Sequence, residues 1–306
     1  MNLPMTKPKV ADLFAGFGGM SVGAEMGGAE VTWAGNHWEQ AVEVHRLNLP
    51  NAYHVCQNLH ETDFTLLPDI DIMVAAPACP PYSTASQPNR IKAHDDQRAM
   101  PWTVVDAAEA KRPEHIVIEN VLGFANWDLF PAWKLALKLL GYDLEQHLLT
   151  ASNFGVPQRR KRIFIVGSLN GKPNLEFELD EHEPGSGTII EDTDEGWKKV
   201  KNAGIQAQKR IATGRERWGD EFFSQHTTGH KGVPFDQPLR TLTTKDHWIR
   251  VKGDEYRPLS VAELKAAMGF PLDYKLPEGS KRNLFVPGFG NAVCPPVAKA
   301  IIEAIQ

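Results

Sequence analysis

Cysteine is scarce in this sequence: Cys56, Cys79 and Cys294 are the only three in 306 residues, and no two form a CxxC pair. A disulfide framework or a cysteine zinc site needs clustered thiols, so neither is expected and no metal site is predicted. Long apolar runs are missing too. No stretch of about 18 consecutive apolar residues occurs, and the opening MNLPMTKPKV lacks the apolar segment of a secretory signal, so the chain is expected to stay in the cytoplasm. Nor is there an excess of positive charge: 33 Lys and Arg face 38 Asp and Glu, a net charge of -5. Any contact with a polyanion must then come from local clusters. Residues 159–162, 198–201, the group Lys209, Arg210, Arg215 and Arg217, and Lys281 with Arg282 are candidates, and each serves equally well as a solvated face.

What is present is an ordinary apolar fraction and a length sufficient for one large domain with a smaller one. From residue 9 to about 167, short apolar runs alternate with longer amphipathic ones, the βαβ signature of a doubly wound α/β sheet covered by helices. Strands are predicted over 10–14, 30–34, 70–75, 115–119 and 162–166, and helices over 20–26, 40–48, 103–110 and 131–140, the last closed by Gly141. Past Gly167, glycines and prolines punctuate a polar stretch with no long periodic element, and 171–254 reads as a small irregular domain. Ser260-x-x-Glu263 reads as a capping box, and a final helix is predicted over 296–305. The division expected is 1–170 with 255–306 as the main domain and 171–254 as the second.

Five segments carry chemistry. Asp12-Leu-Phe14-Ala-Gly16-Phe17-Gly18-Gly19 closes the first strand and opens a helix; missing Cβ atoms let a ligand approach the backbone, as at a nucleotide site, or simply allow a tight connection. Asn36, His37 and Trp38 follow the second strand, where such folds meet ribose hydroxyls and purines, although a tryptophan there also suits a core. Pro77-Ala-Cys79-Pro-Pro-Tyr82-Ser83 places a cysteine on stiff backbone after a strand, either a nucleophile or a small buried hydrophobe. The polar stretch 87–98 that follows reads as a mobile lid or a surface loop. Ile116-Val-Ile-Glu119-Asn120-Val121 ends a buried strand in a carboxylate, whose pKa burial without a cation would raise; capping the next helix is the plainer role. Gln158-Arg-Arg160-Lys-Arg162 sets two arginine forks on one face of a strand.

Taken in order with Arg257-Pro-Leu-Ser, Met268-Gly-Phe-Pro271 and Gly290-Asn291-Ala292-Val293, these segments make the chain resemble the C5 cytosine-specific DNA methyltransferase family, in a PxCxxxSxA variant, over about 9–167 and 256–305. The resemblance implies a Rossmann-like sheet that binds S-adenosyl-L-methionine at the glycine turn, a small target-recognition domain, and double-stranded DNA as substrate for a monomer. It implies Cys79 as the nucleophile for carbon 6 of a flipped cytosine, Glu119 at the N3 edge, and Arg160 and Arg162 around the base. The cofactor would meet Phe14, Gly16, Phe17, Gly18, Gly19, Asn36, His37, Trp38, Asn58, Leu59, Pro77, Asn291, Ala292 and Val293.

Some positions depart from the family. Ala78 and Pro80 flank the cysteine where Pro and Gln are usual, and Asn36 and Asn58 replace acids around the cofactor. The loss of two negative charges leaves room for a modified donor, such as one carrying a carboxylated methyl group, or for cytosine in RNA. Recognition loops are expected around Thr227, Thr228, His230 and Lys231, or in Thr241-Leu-Thr-Thr244 before Asp246, positions that also suit turns and caps.

Overall fold

The computed structural model describes residues 6–77, 91–173, 175–227, 229–245 and 247–306, with backbone alone for 91–99. Strands β1 (Lys9–Leu13), β2 (Glu30–Asn36), β3 (Tyr53–Cys56), β4 (Ile72–Ala75), β5 (His115–Asn120) and β6 (Asp143–Thr150), with β8 (Lys161–Ser168) after the two-residue β7 (Gln158–Arg159), supply the main elements. Seven of them form one sheet in the order β3-β2-β1-β4-β5-β8-β6. The first five strands in that order are parallel; β8 runs antiparallel to both its neighbours.

Alternation along each strand builds two cores. Val10, Ile72, Val74, Val117, Phe164 and Val166 face α1 (Gly19–Met26), α2 (Glu39–Asn48) and the C-terminal helix. Ala11, Leu13, Met73, Ala75, Ile116, Ile118, Ile163 and Ile165 face α3 (Ile91–Lys111) and α4 (Phe130–Leu139), where Trp133 and Leu137 are fully buried. Burial on both faces explains why these runs are almost wholly apolar. Each Val, Leu, Ile, Phe or Met among them contributes roughly 1.5–3 kcal/mol.

A second, four-stranded sheet has the order β10-β12-β13-β9, from β9 (Lys198–Lys199), β10 (Glu221–Gln225), β12 (Trp248–Lys252) and β13 (Glu255–Pro258). Helix α5 (Ile205–Trp218) packs on it through Ile211, against Phe222, Ile249 and Val251. Strand β11 (Leu239–Arg240) pairs in parallel with β7. Phe223, Val233, Leu239, Leu242 and Trp248 nevertheless belong to the same core as α1 and α2, so the two regions share a continuous interior.

The chain finishes with α6 (Val261–Met268), α7 (Arg282–Asn291) and α8 (Pro295–Ile305). The capping box is present: Ser260 Oγ accepts from Glu263 N at 3.1 Å, and Glu263 Oε2 accepts from Ser260 N at 2.9 Å. Arg257, fully buried, makes a two-pronged pair with the same carboxylate, both contacts at 2.7 Å. Residues 282–305 are apolar and long enough in sum to cross a membrane, but their most apolar window is 72% buried inside the protein as core helices.

Four expectations need correction. The sheet is mixed, because β6 and β8 make an antiparallel pair where another βαβ unit was expected. Strands β3 and β6 were not anticipated; both lie at sheet edges with half-exposed faces and carry no apolar alternation. The polar region past Gly167 does hold a long element, α5. Its Gly214 reads as a breaker, yet serves to admit the Phe222 ring, which a Cβ would meet at 2.3 Å. Finally, of the stretch 87–98, all from Ile91 onward is helix rather than loop.

Candidate active site

The carboxyl ends of β1, β2, β4 and β5 open on one cleft of about 450 Å³. That edge is where parallel α/β sheets hold ligands, because the chain turns there and backbone groups become available. Phe14 leaves β1 with φ 63, a left-handed conformation that non-glycine residues seldom adopt and that costs of order 1 kcal/mol. Gly16 and Gly18 continue the turn with φ 53 and 73. Gly19 starts α1 pressed against the C-terminal segment: a Cβ there would stand 2.0 Å from the Val293 carbonyl oxygen.

Of the residues expected around a cofactor, Phe14, Gly16, Phe17, Gly19, Asn36, His37, Trp38, Pro77, Asn291, Ala292 and Val293 line this cleft. Phe17 and Trp38 stack with ring centroids 5.7 Å apart. Asn36 Oδ1 accepts from Trp38 N at 2.8 Å, which leaves the amide hydrogens of Asn36 to donate. Three expected residues do not line it. Gly18 is the left-handed N-cap of α1, Asn58 accepts from His60 N to cap a short 3-10 turn, and Leu59 is buried in the core behind Gly35. Asn58 is thus committed to local structure at the position where the family carries an acid.

The same cleft holds Glu119, Arg160 and Arg162. Glu119 is buried and raised in pKa by that burial, with Arg162 and then Arg160 opposing the shift. Arg162 Nε is 3.0 Å from Glu119 Oε1, yet Oε1 has no aligned hydrogen bond, so the two meet as an ion pair that leaves the oxygen able to accept a donor. Burial thus raises the carboxyl even with two guanidinium groups beside it. Arg160 is almost fully buried and spends both terminal nitrogens on backbone, donating to Leu242 O and Gly290 O at 3.0 Å each. Burial lowers its pKa to about 10, and it stays cationic at neutral pH.

Cys79 lies outside the described residues, as do Thr228 and Asp246. The backbone leading to the cysteine is nonetheless anchored: Asn120 Nδ2 donates to the Pro77 carbonyl at 3.2 Å. Among the expected recognition positions, His230 is a turn anchor, its Nδ1 accepting from Gln225 N and Gly232 N. The carbonyl of Lys231 accepts from Trp218 Nε1. The Thr241–Thr244 segment lies by the cleft, held by Arg160 at Leu242 and packed so that a Cβ on Gly290 would stand 2.3 Å from Thr243 O. Thr227 folds back on Gln225.

Sequence reasoning left Met100 out and gave Asp12, Asn120 and Gln158 no role of their own within their motifs. Asp12 is buried in the cleft wall and raised to about 7 by desolvation. An acid two residues before the glycine turn was the available signal. Gln158, also buried, donates to Ala267 O at 2.8 Å and accepts from Leu242 N at 2.8 Å, joining three distant segments.

The model of the C-5 cytosine-specific DNA methylase family matches residues 8–306. The chain is 28% identical to the Type II methyltransferase M.BsuFI of Bacillus subtilis, over 96% of this chain and 71% of that protein. It is 28% identical to M.MspI of a Moraxella species, over 97% and 70%. The crystal structure of the S. pombe Dnmt2 methyltransferase shares the fold, with a TM-score of 0.71 at 17% identity, covering 98% of each chain. With the family matched along nearly its whole length, this chain belongs to the C-5 cytosine-specific DNA methylases.

Proposed function

We propose that this DNA (cytosine-5) methyltransferase forms a bond between Cys79 and carbon 6 of an everted cytosine, with Glu119 and Arg162 holding the base. The carrying observation is the shared cleft: a glycine turn with stacked aromatics at one side and a buried acid–guanidinium pair at the other. An adduct at carbon 6 makes carbon 5 electron-rich enough to accept a methyl group. Glu119, its pKa raised by burial, donates toward or shares a proton at N3 as charge develops there. Arg162 restrains the carboxyl and limits its pKa rise. Arg160 acts as a positioning residue, fastening Leu242 and Gly290 over the site. Reaching carbon 6 requires the base to leave the helix stack.

The cleft suits S-adenosyl-L-methionine. Its volume lies in the range of nucleotide-sized sites, the part-exposed Phe14 and Trp38 offer apolar surface, and Asn36 offers donors for ribose oxygens. When bound, that group supplies an electrophilic methyl. Asp12 contributes a buried carboxyl oxygen with no partner, which favours a ligand bearing positive charge over one bearing an added carboxylate. An unmodified donor is therefore the reading adopted, with duplex DNA as acceptor, a monomeric enzyme, and 171–254 as the target-recognition region whose Thr241–Thr244 segment reaches the site.

The test is trapping on duplex DNA containing 5-fluorocytosine with S-adenosyl-L-methionine present. Wild type forms a covalent complex stable to denaturation and Cys79→Ala does not; a complex of equal yield from the variant would overturn the assignment of the nucleophile.

A further inference from the structure

Four polar side chains join end to end between the cleft and the outer edge of the sheet. Asp12 is fully buried; its Oδ2 accepts from Ser21 Oγ at 2.6 Å and its Oδ1 has no partner. Ser21 Oγ is 3.0 Å from Nε2 of the buried His45, on α2. His45 Nδ1 is 2.8 Å from Nε2 of His54, a half-buried residue on the edge strand β3. Gly18 makes room for the imidazole, since a Cβ there would stand 2.8 Å from His45 Cδ2. The base chemistry above uses none of Ser21, His45 or His54.

Counting donors and acceptors gives two complete arrangements of this chain. With Asp12 ionised, Ser21 donates to Asp12, His45 donates from Nε2 to Ser21, and His54 donates from Nε2 to His45 Nδ1. With Asp12 protonated every bond reverses: Asp12 donates to Ser21, Ser21 to His45 Nε2, and His45 Nδ1 to His54. Each of the three bonds is made in either state. On passing to the ionised state three protons each move along one hydrogen bond, one bond to hydrogen breaking as one forms, and a fourth leaves His54 Nδ1 for solvent, so His54 stays neutral and the states differ by one net proton.

We propose that Ser21, His45 and His54 form a proton relay that sets the charge on Asp12, so that a cationic ligand entering the cleft ionises Asp12 and drives its proton out through His54. This rests on the reading that the cleft takes S-adenosyl-L-methionine. That donor carries a sulfonium charge, whereas the S-adenosylhomocysteine left after transfer is a neutral thioether, so the relay discriminates donor from product by charge.

The surroundings fit. Burial holds Asp12 near neutrality in the free protein, raised to about 7. Burial and then the charge of His54 keep His45 from holding two protons, its pKa lowered to about 3. Burial and then Arg46 lower His54, with a hydrogen bond to the Ala52 backbone acting the other way, so a proton arriving there passes on to solvent. Tyr274 is the other titratable group beside Asp12; its hydroxyl donates to the Phe17 carbonyl and burial raises its pKa, so it stays neutral.

The experiment is NMR of protein labelled with 15N-histidine, whose ring-nitrogen shifts report the tautomer of His45. In the free protein His45 changes from Nδ1–H to Nε2–H as pH rises through about 7, and Ser21→Ala abolishes that change. Saturating S-adenosyl-L-methionine moves the change to lower pH, and S-adenosylhomocysteine leaves it in place. Below the pKa of Asp12, affinity for the donor falls by up to about tenfold per pH unit while affinity for the product stays level. A single His45 tautomer across the titration, or an unaltered change in Ser21→Ala, overturns the relay. Failure of S-adenosyl-L-methionine to bind, with the free-protein change intact, overturns instead the cofactor reading and the ligand-driven half of the proposal.

Discussion

Arg162 Nε and Glu119 Oε1 stand 3.0 Å apart across the neighbouring strands β8 and β5, which run in opposite directions. Because β8 is reversed, its first residues arrive at the edge where β5 ends, with Ile163 opposite Asn120. A parallel strand would have delivered Arg162 to the far edge, about 3.3 Å further for each residue of the strand. The pair is the first place to test the mechanism. Glu119→Gln keeps the shape and removes the titratable proton, and methyl transfer in a single turnover should fall by about 10²- to 10³-fold. S-adenosyl-L-methionine affinity, followed by calorimetry, should hold; full transfer activity would remove Glu119 from the reaction.

Arg162→Ala tests the same pair through pH. The guanidinium opposes the upward shift that burial imposes on Glu119, so its removal raises the carboxyl pKa further. The pH–rate profile of transfer should move toward alkaline pH on the limb set by Glu119. An unmoved limb would mean that some other group governs it.

Arg257 and Glu263 lie far into the interior, with side-chain exposures of 2% and 0%. Glu263→Ala leaves a guanidinium buried without its partner and also undoes the capping box on α6. Unfolding in urea should show a loss of about 3–5 kcal/mol. A loss below about 1 kcal/mol would show that water or other acceptors replace the carboxylate.

Gly19→Ala places a methyl group within 2.0 Å of the Val293 carbonyl oxygen, so the turn or the C-terminal segment has to shift. Cofactor affinity should drop at least about tenfold, which is about 1.4 kcal/mol, with a smaller effect on DNA binding. Equal affinity in the variant would place the cofactor away from this turn.

His45 predicts a response of stability to acid. Its folded pKa, about 3, lies below the ordinary 6.5, so the unfolded chain binds a proton that the native protein does not. Its contribution is present above pH 6.5 and is lost as pH falls toward 3, with a slope of at most about 1.4 kcal/mol per pH unit. Urea midpoints measured across that window should decline less steeply in His45→Gln than in wild type. Parallel declines would assign the acid sensitivity elsewhere.

The sheet centre was legible because Ile116, Val117 and Ile118, buried on both faces, leave an unbroken apolar run. The edges were not, since β3 and β6 face solvent on one side and read as polar. Helix α7 was hidden by Pro287 and by Gly288, where a Cβ would collide with the Phe17 ring at 2.1 Å. Sequence order alone brought Glu119 and Arg162 to notice together. The commitment of Arg160 to Leu242 and Gly290, and of Asn58 to a cap, depends on partners or turns that no local pattern announces.

The glycine turn lies far ahead in sequence of the wall that closes it, Val293 with α8 behind it, and is made long before that wall. A growing polypeptide on the ribosome therefore has the turn early but nothing to press against it. Separations this large make for slow, late assembly. The cleft should come into being only after α8 has emerged from the exit tunnel, and a chain stalled before that point should not bind the proposed methyl donor.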